Sequence, residues 1–210
     1  AKNMQITSSQ PQIVDNEKGL LIDFSILGTQ VGDQEISPSL SVNLGDIEPG
    51  NSAVARWLMV ASLQGKFVDY QASYEHLDGM NNPKLSLIDR VEIHELIHVV
   101  RIEQPQDDSL PDFLVNDIAD DDSLPDTIHD SAGTLLPVQV VRDAQVNGTP
   151  REDRVEMQVK ATLPQGWIYL RIEDPTANQD TLVQVLREDG SEIRVDENAW
   201  TTHRIKRPKG

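Results

Sequence analysis

Apolar and polar residues alternate with a period of two along much of this 210-residue chain. In the first 80 residues, the runs Leu20–Ile26 and Leu40–Leu44 place every second side chain on one apolar face. A period of two indicates β-strands that bury one face, and Gly, Pro and Asn turns separate the runs. Several short strands at this spacing predict a β-sandwich domain, which we place at residues 1–103.

The last third of the chain shows the clearest alternation. From Val155 to Leu163, apolar residues face one side and charged or polar residues face the other. The run Leu182–Glu188 is followed by Asp189-Gly190, the dipeptide favoured in type I′ hairpin turns, and then by Ser191–Val195. We therefore predict a second small β domain at residues 143–210.

The segment between these two domains is acidic. From Ile102 to Val141 the chain has no Lys or Arg, and the sequence DDSLPD occurs twice, at residues 107–112 and 121–126. Each copy is typical of a turn in which proline stiffens a loop that is rich in carboxylates. We predict that residues 104–142 form an acidic, irregular connecting segment.

The formal net charge of −17 limits the partners of the chain. A surface this acidic repels the phosphates of nucleic acids and anionic lipids, so we expect no nucleic-acid partner. No run of about 18 apolar residues occurs, so we expect no membrane span. The absence of cysteine excludes disulfides, thiolate zinc sites and cysteine nucleophiles.

Some aspartates of the connecting segment are candidate calcium ligands, because Ca²⁺ prefers several oxygen ligands. The candidates are Asp120, Asp121, Asp122 and Asp126. The sequence around them lacks the central glycine and the final glutamate of an EF-hand loop, so a solvated acidic loop without an ion is the alternative. Calcium would be the cofactor of this segment and would make it rigid, because such dense carboxylates repel one another until they are neutralised.

The stretch VEIHELIHVV, residues 91–100, contains the pattern HExxH, formed by His94, Glu95 and His98. On a helix, two histidines one turn apart bind zinc and the glutamate activates a water molecule. The spacing of the apolar residues in the stretch also fits one face of a helix. In this interpretation the protein is a zinc metallopeptidase with His94 and His98 as ligands and Glu95 as the general base.

Other features of the same stretch favour a β-strand. Catalytic zinc needs a third protein ligand, but Arg101 and Gln104 stand where the metzincin continuation has Gly and His. The glutamates that could replace that ligand lie in predicted strands or turns; they are Glu152, Glu156 and Glu173. The stretch is also rich in β-branched residues. We predict a strand, which would place His94 and His98 on one face and Glu95 on the other and so destroy the catalytic geometry.

The aromatic and remaining histidine residues carry weaker signals. We predict that the three tryptophans pack in the core or between domains, with a carbohydrate-stacking platform as the alternative. They are Trp57, Trp167 and Trp200. The histidines outside the HExxH pattern have no partner at a readable spacing; they are His76, His129 and His203. The chain also lacks the GxSxG elbow and Gly-rich phosphate loops.

The run GDIEPGNSAVARWLMV, residues 45–60, resembles the mid-sandwich turn of bacterial immunoglobulin-like modules, such as the cell-adhesion-related and NEW3-type domains. A longer set of segments is similar to a region of very large modular secreted or surface-attached bacterial proteins, to which no activity is assigned. These segments run from SLQGKF through LSLIDRVEIHELIHVV and PDFLVND to GWIYLRIEDP and NAWTTHR. The resemblance implies a mainly β fold of immunoglobulin-like β-sandwich modules, here with an acidic irregular connecting segment.

These features together predict a structural or adhesive module of an extracellular or cell-surface bacterial protein. Its partners would be neighbouring modules or subunits of the same assembly, which could add strands to unpaired sheet edges. The basic final stretch THRIKRPKG ends without a capping pattern, so we expect the chain to be a segment of a longer protein. The zinc metallopeptidase and the carbohydrate-binding module stay open as alternatives.

Overall fold

A computed structural model describes residues 1–8, 12–13, 23–62, 67–69, 72–75, 92–102, 108, 110–117, 124–150, 154–174, 176 and 179–202. In these ranges the chain forms strands and turns and no helix, which confirms the prediction of a mainly β fold. None of the described segments is therefore a helix able to cross a lipid bilayer. The chain divides into two compact units, one formed by residues 1–93 and 106–111, the other by residues 94–105 and 112–210.

The first unit has three small sheets in its described part. Its strands are β1 (Met4–Ser8), β2 (Gln12–Ile13), β3 (Phe24–Val31), β4 (Gln34–Ile36), β5 (Ser41–Gly45), β6 (Ala55–Ala61), β7 (Phe67–Asp69) and β8 (Ala72–Glu75). β1 lies between β5 and β8, β3 lies between β4 and β6, and β2 pairs with β7, all antiparallel. The indole N–H of Trp57 in β6 donates to the carbonyl of Ser39 at 2.8 Å, which ties β6 to the connection between β4 and β5.

The second unit is built around a five-stranded sheet. Its strands are β9 (Glu95–Val100), β10 (Asp112–Asn116), β11 (Thr127–His129), β12 (Leu135–Val141), β13 (Gln145–Pro150), β14 (Val155–Lys160), β15 (Trp167–Leu170), β16 (Val185–Leu186) and β17 (Glu192–Ile193). The sheet has the order β15-β12-β11-β10-β9, in which only β12 and β15 are parallel. β13 pairs with β14, and β16 pairs with β17, as two separate hairpins.

One face of the five-stranded sheet carries the core of the second unit. Its buried residues are Val100, Ile102, Leu114 and Ile128. Because side chains of a strand alternate between two faces, these residues share one face and leave their neighbours on the other. Trp167 and Trp200 pack against this cluster, so the core packing predicted for the tryptophans is confirmed for these two.

The acidic segment differs from its prediction, because residues 104–142 supply three strands of the five-stranded sheet. The boundary between the compact units falls after Ile93. Short apolar runs form the strands, and aspartates lie where the strands begin or end. Asp112, for example, is fully buried, and its carboxylate accepts the backbone N–H groups of Ile102 at 2.7 Å and Ser131 at 3.0 Å. Charge is tolerated there because these donors satisfy the buried carboxylate.

The hairpin predicted around Asp189-Gly190 is present as β16 and β17, but its turn is of another type. Gly190 has a φ of 84°, whereas Asp189 is not among the residues with positive φ. A type I′ turn needs positive φ at both central residues. Here the N–H of Gly190 donates to the carbonyl of Arg187 at 2.9 Å, so the left-handed glycine ends the turn instead of filling its centre.

Candidate functional site

The HExxH stretch forms a strand, as predicted. His94 directly precedes β9, and Glu95 and His98 lie within it. The β-branched residues of this stretch suit a pleated strand, and antiparallel pairing with β10 satisfies its backbone. The helical arrangement that brings two histidines and a glutamate to one zinc ion is therefore absent from this part of the chain.

A bulge in β9 sends the two histidines to opposite faces of the sheet. Leu96 is paired with Val115 and His98 with Leu114, so Ile97 is an extra residue between the two pairs. An extra residue shifts the alternation of faces by one position. His94 thus shares a face with Leu96, whereas Ile97 packs on the core face. The prediction that His94 and His98 share a face is wrong. The metallopeptidase alternative needs both imidazoles at one ion, and this arrangement does not support it.

His98 serves as a packing residue on the core face. Its ring stacks on the indole of Trp200, with ring centroids 4.0 Å apart and planes inclined by 15°. Its Nε2 lies 3.3 Å from the carbonyl oxygen of Asp196. Burial lowers the pKa of His98, because a charged imidazole loses hydration there, although Asp196 acts in the opposite direction.

Glu95 is likewise occupied away from His94. Its carboxylate accepts a hydrogen bond from the side-chain amide of Asn116 at 3.2 Å. The two residues are paired across β9 and β10, so they lie on the same face, opposite to His94. The role of general base predicted for Glu95 in the metallopeptidase alternative has no support from this geometry.

His94 instead belongs to a different cluster, formed with Asp117 and His129. Its Nδ1 lies 2.5 Å from Oδ1 of Asp117, and Nε2 of His129 lies 3.0 Å from Oδ2 of the same carboxylate. The two imidazole centroids are 4.2 Å apart. The side chains are 28%, 27% and 19% exposed for His94, Asp117 and His129, so the cluster is accessible to small ions.

The register of the sheet brings these residues together. His94 lies two positions before Leu96, which is paired with Val115, and His129 is paired with Phe113 two positions earlier in β10. Residues paired across antiparallel strands share a face, as do residues two apart on one strand. Both imidazoles therefore lie on the face opposite to the core, and Asp117 directly follows β10.

Asp126 holds Asp117 in place. Oδ1 of Asp126 accepts the backbone N–H of Asp117 at 3.1 Å and the hydroxyl of Thr127 at 2.8 Å. The backbone of Asp126 also joins β10 to β12, since its N–H donates to the Val115 carbonyl and its carbonyl accepts the Val138 N–H. Asp126, predicted as a calcium ligand, thus positions the backbone of Asp117 by a hydrogen bond. The other three calcium candidates, Asp120, Asp121 and Asp122, lie outside the described residues, and calcium stays a prediction there.

The electrostatics of the cluster favour a charged carboxylate. Partial burial acts to raise the pKa of Asp117, but hydrogen bonds from His129 and His94 outweigh it, together with the charges of the two imidazoles. The net result is a pKa of Asp117 below its ordinary value. At neutral pH the cluster therefore presents one carboxylate and two imidazoles, which are metal ligands when the imidazoles are neutral.

The donor atoms are close enough for one metal ion. All three lie within 4.8 Å of one another. In a tetrahedral zinc site, with bonds of about 2.1 Å, ligand atoms lie about 3.4 Å apart. The two short contacts to Asp117 would need to open by less than about 1 Å to reach that spacing. Two imidazoles and one carboxylate are a donor set typical of zinc and other divalent transition metals.

A shallow groove adjoins the cluster. It has a volume of about 240 Å³ and is lined by His94, Leu96, Phe113, Val115 and His129. Three of these five residues are apolar, so the groove has an apolar floor beside the two imidazoles. The arrangement can hold an ion at one end and an apolar group next to it.

The HExxH pattern points to His94 but pairs it with Glu95 and His98, and neither of these residues belongs to the cluster. Asp117 belongs to the acidic segment that we predicted to be irregular, and His129 was without a partner at a readable spacing. The signal that could have found them is the continuous apolar run at 113–115 together with the alternation at 127–129, because both patterns predict strands next to the HELIH strand. His76 and His203 lie outside the described residues.

We found no matching family model, no matching curated protein and no matching solved structure for this chain.

Proposed function

We propose that this chain is a structural module of an extracellular or cell-surface protein, and that its second unit binds one divalent transition metal ion of the zinc class. The ligands are His94, Asp117 and His129. The observation that carries the proposal is the convergence of three donor atoms, from three separate places in the sequence, within 4.8 Å. Nothing in local sequence spacing brings these residues together, so the fold itself creates the site.

The chemistry of the donor set points to zinc more than to calcium. Calcium takes six to eight oxygen ligands, whereas this cluster offers two nitrogens and one carboxylate. Zinc is bound by imidazole nitrogen and carboxylate oxygen with four ligands in all. The acidic composition, with a formal net charge of −17, also favours accumulation of cations around the protein.

A metal ion at this position would stabilise the sheet. His94 precedes β9, Asp117 follows β10 and His129 ends β11, so one ion would join three neighbouring strands. Binding of a ligand to the folded state alone adds to the free energy of unfolding. The metal therefore has a structural role that agrees with a spacer or adhesive module.

Contacts with neighbouring modules or subunits would involve the β13–β14 hairpin. In the described part of the chain these two strands pair only with each other, and a two-stranded hairpin is marginally stable by itself in water. Alternate residues of β14 are apolar and exposed; they are Val155, Met157 and Val159. An exposed apolar strand with an unpaired edge is suited to packing against another module. The resemblance to bacterial immunoglobulin-like modules supports the same role.

Metal stoichiometry in matched histidine variants tests the proposal. We expect the purified chain to bind one equivalent of zinc, measured by titration calorimetry and by elemental analysis after dialysis. His129→Ala should abolish binding, because it removes a ligand, whereas His98→Phe should retain it and keep the stacking on Trp200. Zinc that is lost in His98→Phe and retained in His129→Ala would overturn the proposal and restore the HExxH site.

A further inference from the structure

We propose that the metal ion keeps one open coordination position, which faces the apolar groove and binds a carboxylate that carries an apolar body. This inference rests on the proposed function, because the metal supplies the attachment point. The groove supplies the selectivity.

The open position follows from the number of ligands. Zinc sites with three protein ligands keep a fourth position for water or for an exogenous ligand. Among the described residues, the cluster that could hold an ion consists of three residues only: His94, Asp117 and His129. Glu95 directly follows His94 in the sequence, but it lies on the opposite face of the sheet. Its carboxylate accepts a hydrogen bond from Asn116 there. The described residues therefore supply three ligands at this position, and we infer that the fourth is exogenous.

The direction of the open position follows from the groove lining. His94 and His129 both line the groove, together with Leu96, Phe113 and Val115. A ligand that enters through the groove would thus meet the ion between the two imidazoles and leave its body against the three apolar side chains. A volume of about 240 Å³ is small for a ligand pocket, so the body is no larger than a single side chain or a small ring.

The charge of the loaded site selects an anion. The ion and its three protein ligands, one carboxylate and two neutral imidazoles, have a net charge of +1, and the three apolar side chains that line the groove carry no charge. A monocarboxylate would neutralise the site and replace the bound water. Burial of its apolar part adds affinity in proportion to the area removed from water. The chemistry is shared by small aliphatic or aromatic acids and by the free C-terminus of a peptide that ends in an apolar residue.

Cobalt-loaded protein provides the test, because the visible spectrum of Co²⁺ changes when its fourth ligand changes. The full chain would be loaded with Co²⁺ and titrated with acetate, 3-methylbutanoate and benzoate at constant pH and ionic strength. We expect spectral changes with all three acids and an affinity at least ten-fold higher for the two apolar acids than for acetate. Equal affinities, or a spectrum that no carboxylate changes, would overturn the inference.

Variants of the groove sharpen the result. Leu96 is exposed, so Leu96→Ser should leave the fold and cobalt binding unchanged and reduce the preference for apolar acids several-fold. Leu186→Ser, an equally exposed site in β16 and no part of the groove, should leave the preference unchanged. A preference that survives Leu96→Ser unaltered contradicts a role for the groove floor.

Titration with peptides distinguishes the two sources of the carboxylate, which are small acids and peptide C-termini. A short peptide that ends in leucine would be compared with its C-terminal amide and with 3-methylbutanoate. Tighter binding of the free peptide than of the small acid assigns the site to chain termini, and equal or weaker binding assigns it to small acids. Failure of Co²⁺ to bind at all removes the proposed function, whereas Co²⁺ that binds without any response to carboxylates removes this inference alone.

Discussion

The imidazole of His98 stacks on the indole of Trp200, with ring planes inclined by 15°. Trp200 itself packs against the buried cluster of the five-stranded sheet. The second histidine of the HELIH stretch is therefore part of the hydrophobic packing of the second unit. His98 belongs to a sequence motif that is typical of zinc peptidases, but in this fold its ring contributes to packing and so to stability.

The stacking predicts a pH dependence of stability. Burial lowers the pKa of His98 below its value in the unfolded chain, which is about 6.5. A histidine with a lowered pKa contributes stability above the unfolded pKa, and this contribution is lost as the pH falls through the folded pKa. We expect the metal-free protein to lose stability as the pH falls below about 7, because the unfolded chain then takes up a proton at His98 more readily than the folded chain does. Urea unfolding of protein treated with a chelator, repeated across this pH range, would measure the loss in the free energy of unfolding. The His98→Phe variant should show a smaller loss. Equal losses in both proteins would contradict it.

Metal binding should raise the stability of the second unit. Zinc at a concentration about 100 times its dissociation constant adds about 2.7 kcal/mol to the free energy of unfolding. For a unit of about 110 residues this corresponds to a rise in Tm of roughly 10 °C. Tryptophan fluorescence in a Trp57→Phe background would measure it, because the two remaining tryptophans belong to the second unit. Asp117→Asn should bind zinc weakly and lose the rise, and a rise that persists in Asp117→Asn would count against this ligand.

Asp126 should tune metal affinity without contacting the metal. Its carboxylate holds the backbone N–H of Asp117, and groups that orient a ligand typically change metal affinity 10- to 100-fold. We expect Asp126→Ala to weaken zinc binding by about that factor in titration calorimetry. Asp189→Ala is a matched control, because Asp189 accepts the N–H of Ser191 in the β16–β17 hairpin, away from the cluster. Equal effects of both substitutions would indicate general electrostatics instead of orientation.

The buried carboxylate of Asp112 should be essential for stability. It accepts two backbone N–H groups, and Asp112→Ala would leave both without this acceptor. Since a hydrogen bond to a charged group contributes about 1.5–3 kcal/mol, we expect a loss of about 3 kcal/mol or more in urea unfolding. Asp130→Ala removes one hydrogen bond in an exposed turn, to Thr134, and should cost about 1 kcal/mol. Similar losses for the two variants would show that the burial of Asp112 is not important.

Much of the strand content follows from the sequence by itself. The period of two at 40–44 leads to β5, and the same period at 155–160 leads to β14. The β-branched residues of the stretch 91–100 lead to β9. These signals are local, because the conformation of a strand depends on its own residues and on the alternation of its two faces. The absence of cysteine likewise excludes thiolate ligands from any metal site.

Only the tertiary structure decided which side chains meet. The bulge at Ile97 separates His94 from His98, and the pairing of β9, β10 and β11 brings His94 to Asp117 and His129. Register and bulges depend on contacts between distant strands, and a shift of one residue moves every later side chain to the other face. Residues 91–100 therefore contain a peptidase motif in the sequence, whereas in the fold they contribute one candidate ligand, His94, to a different site.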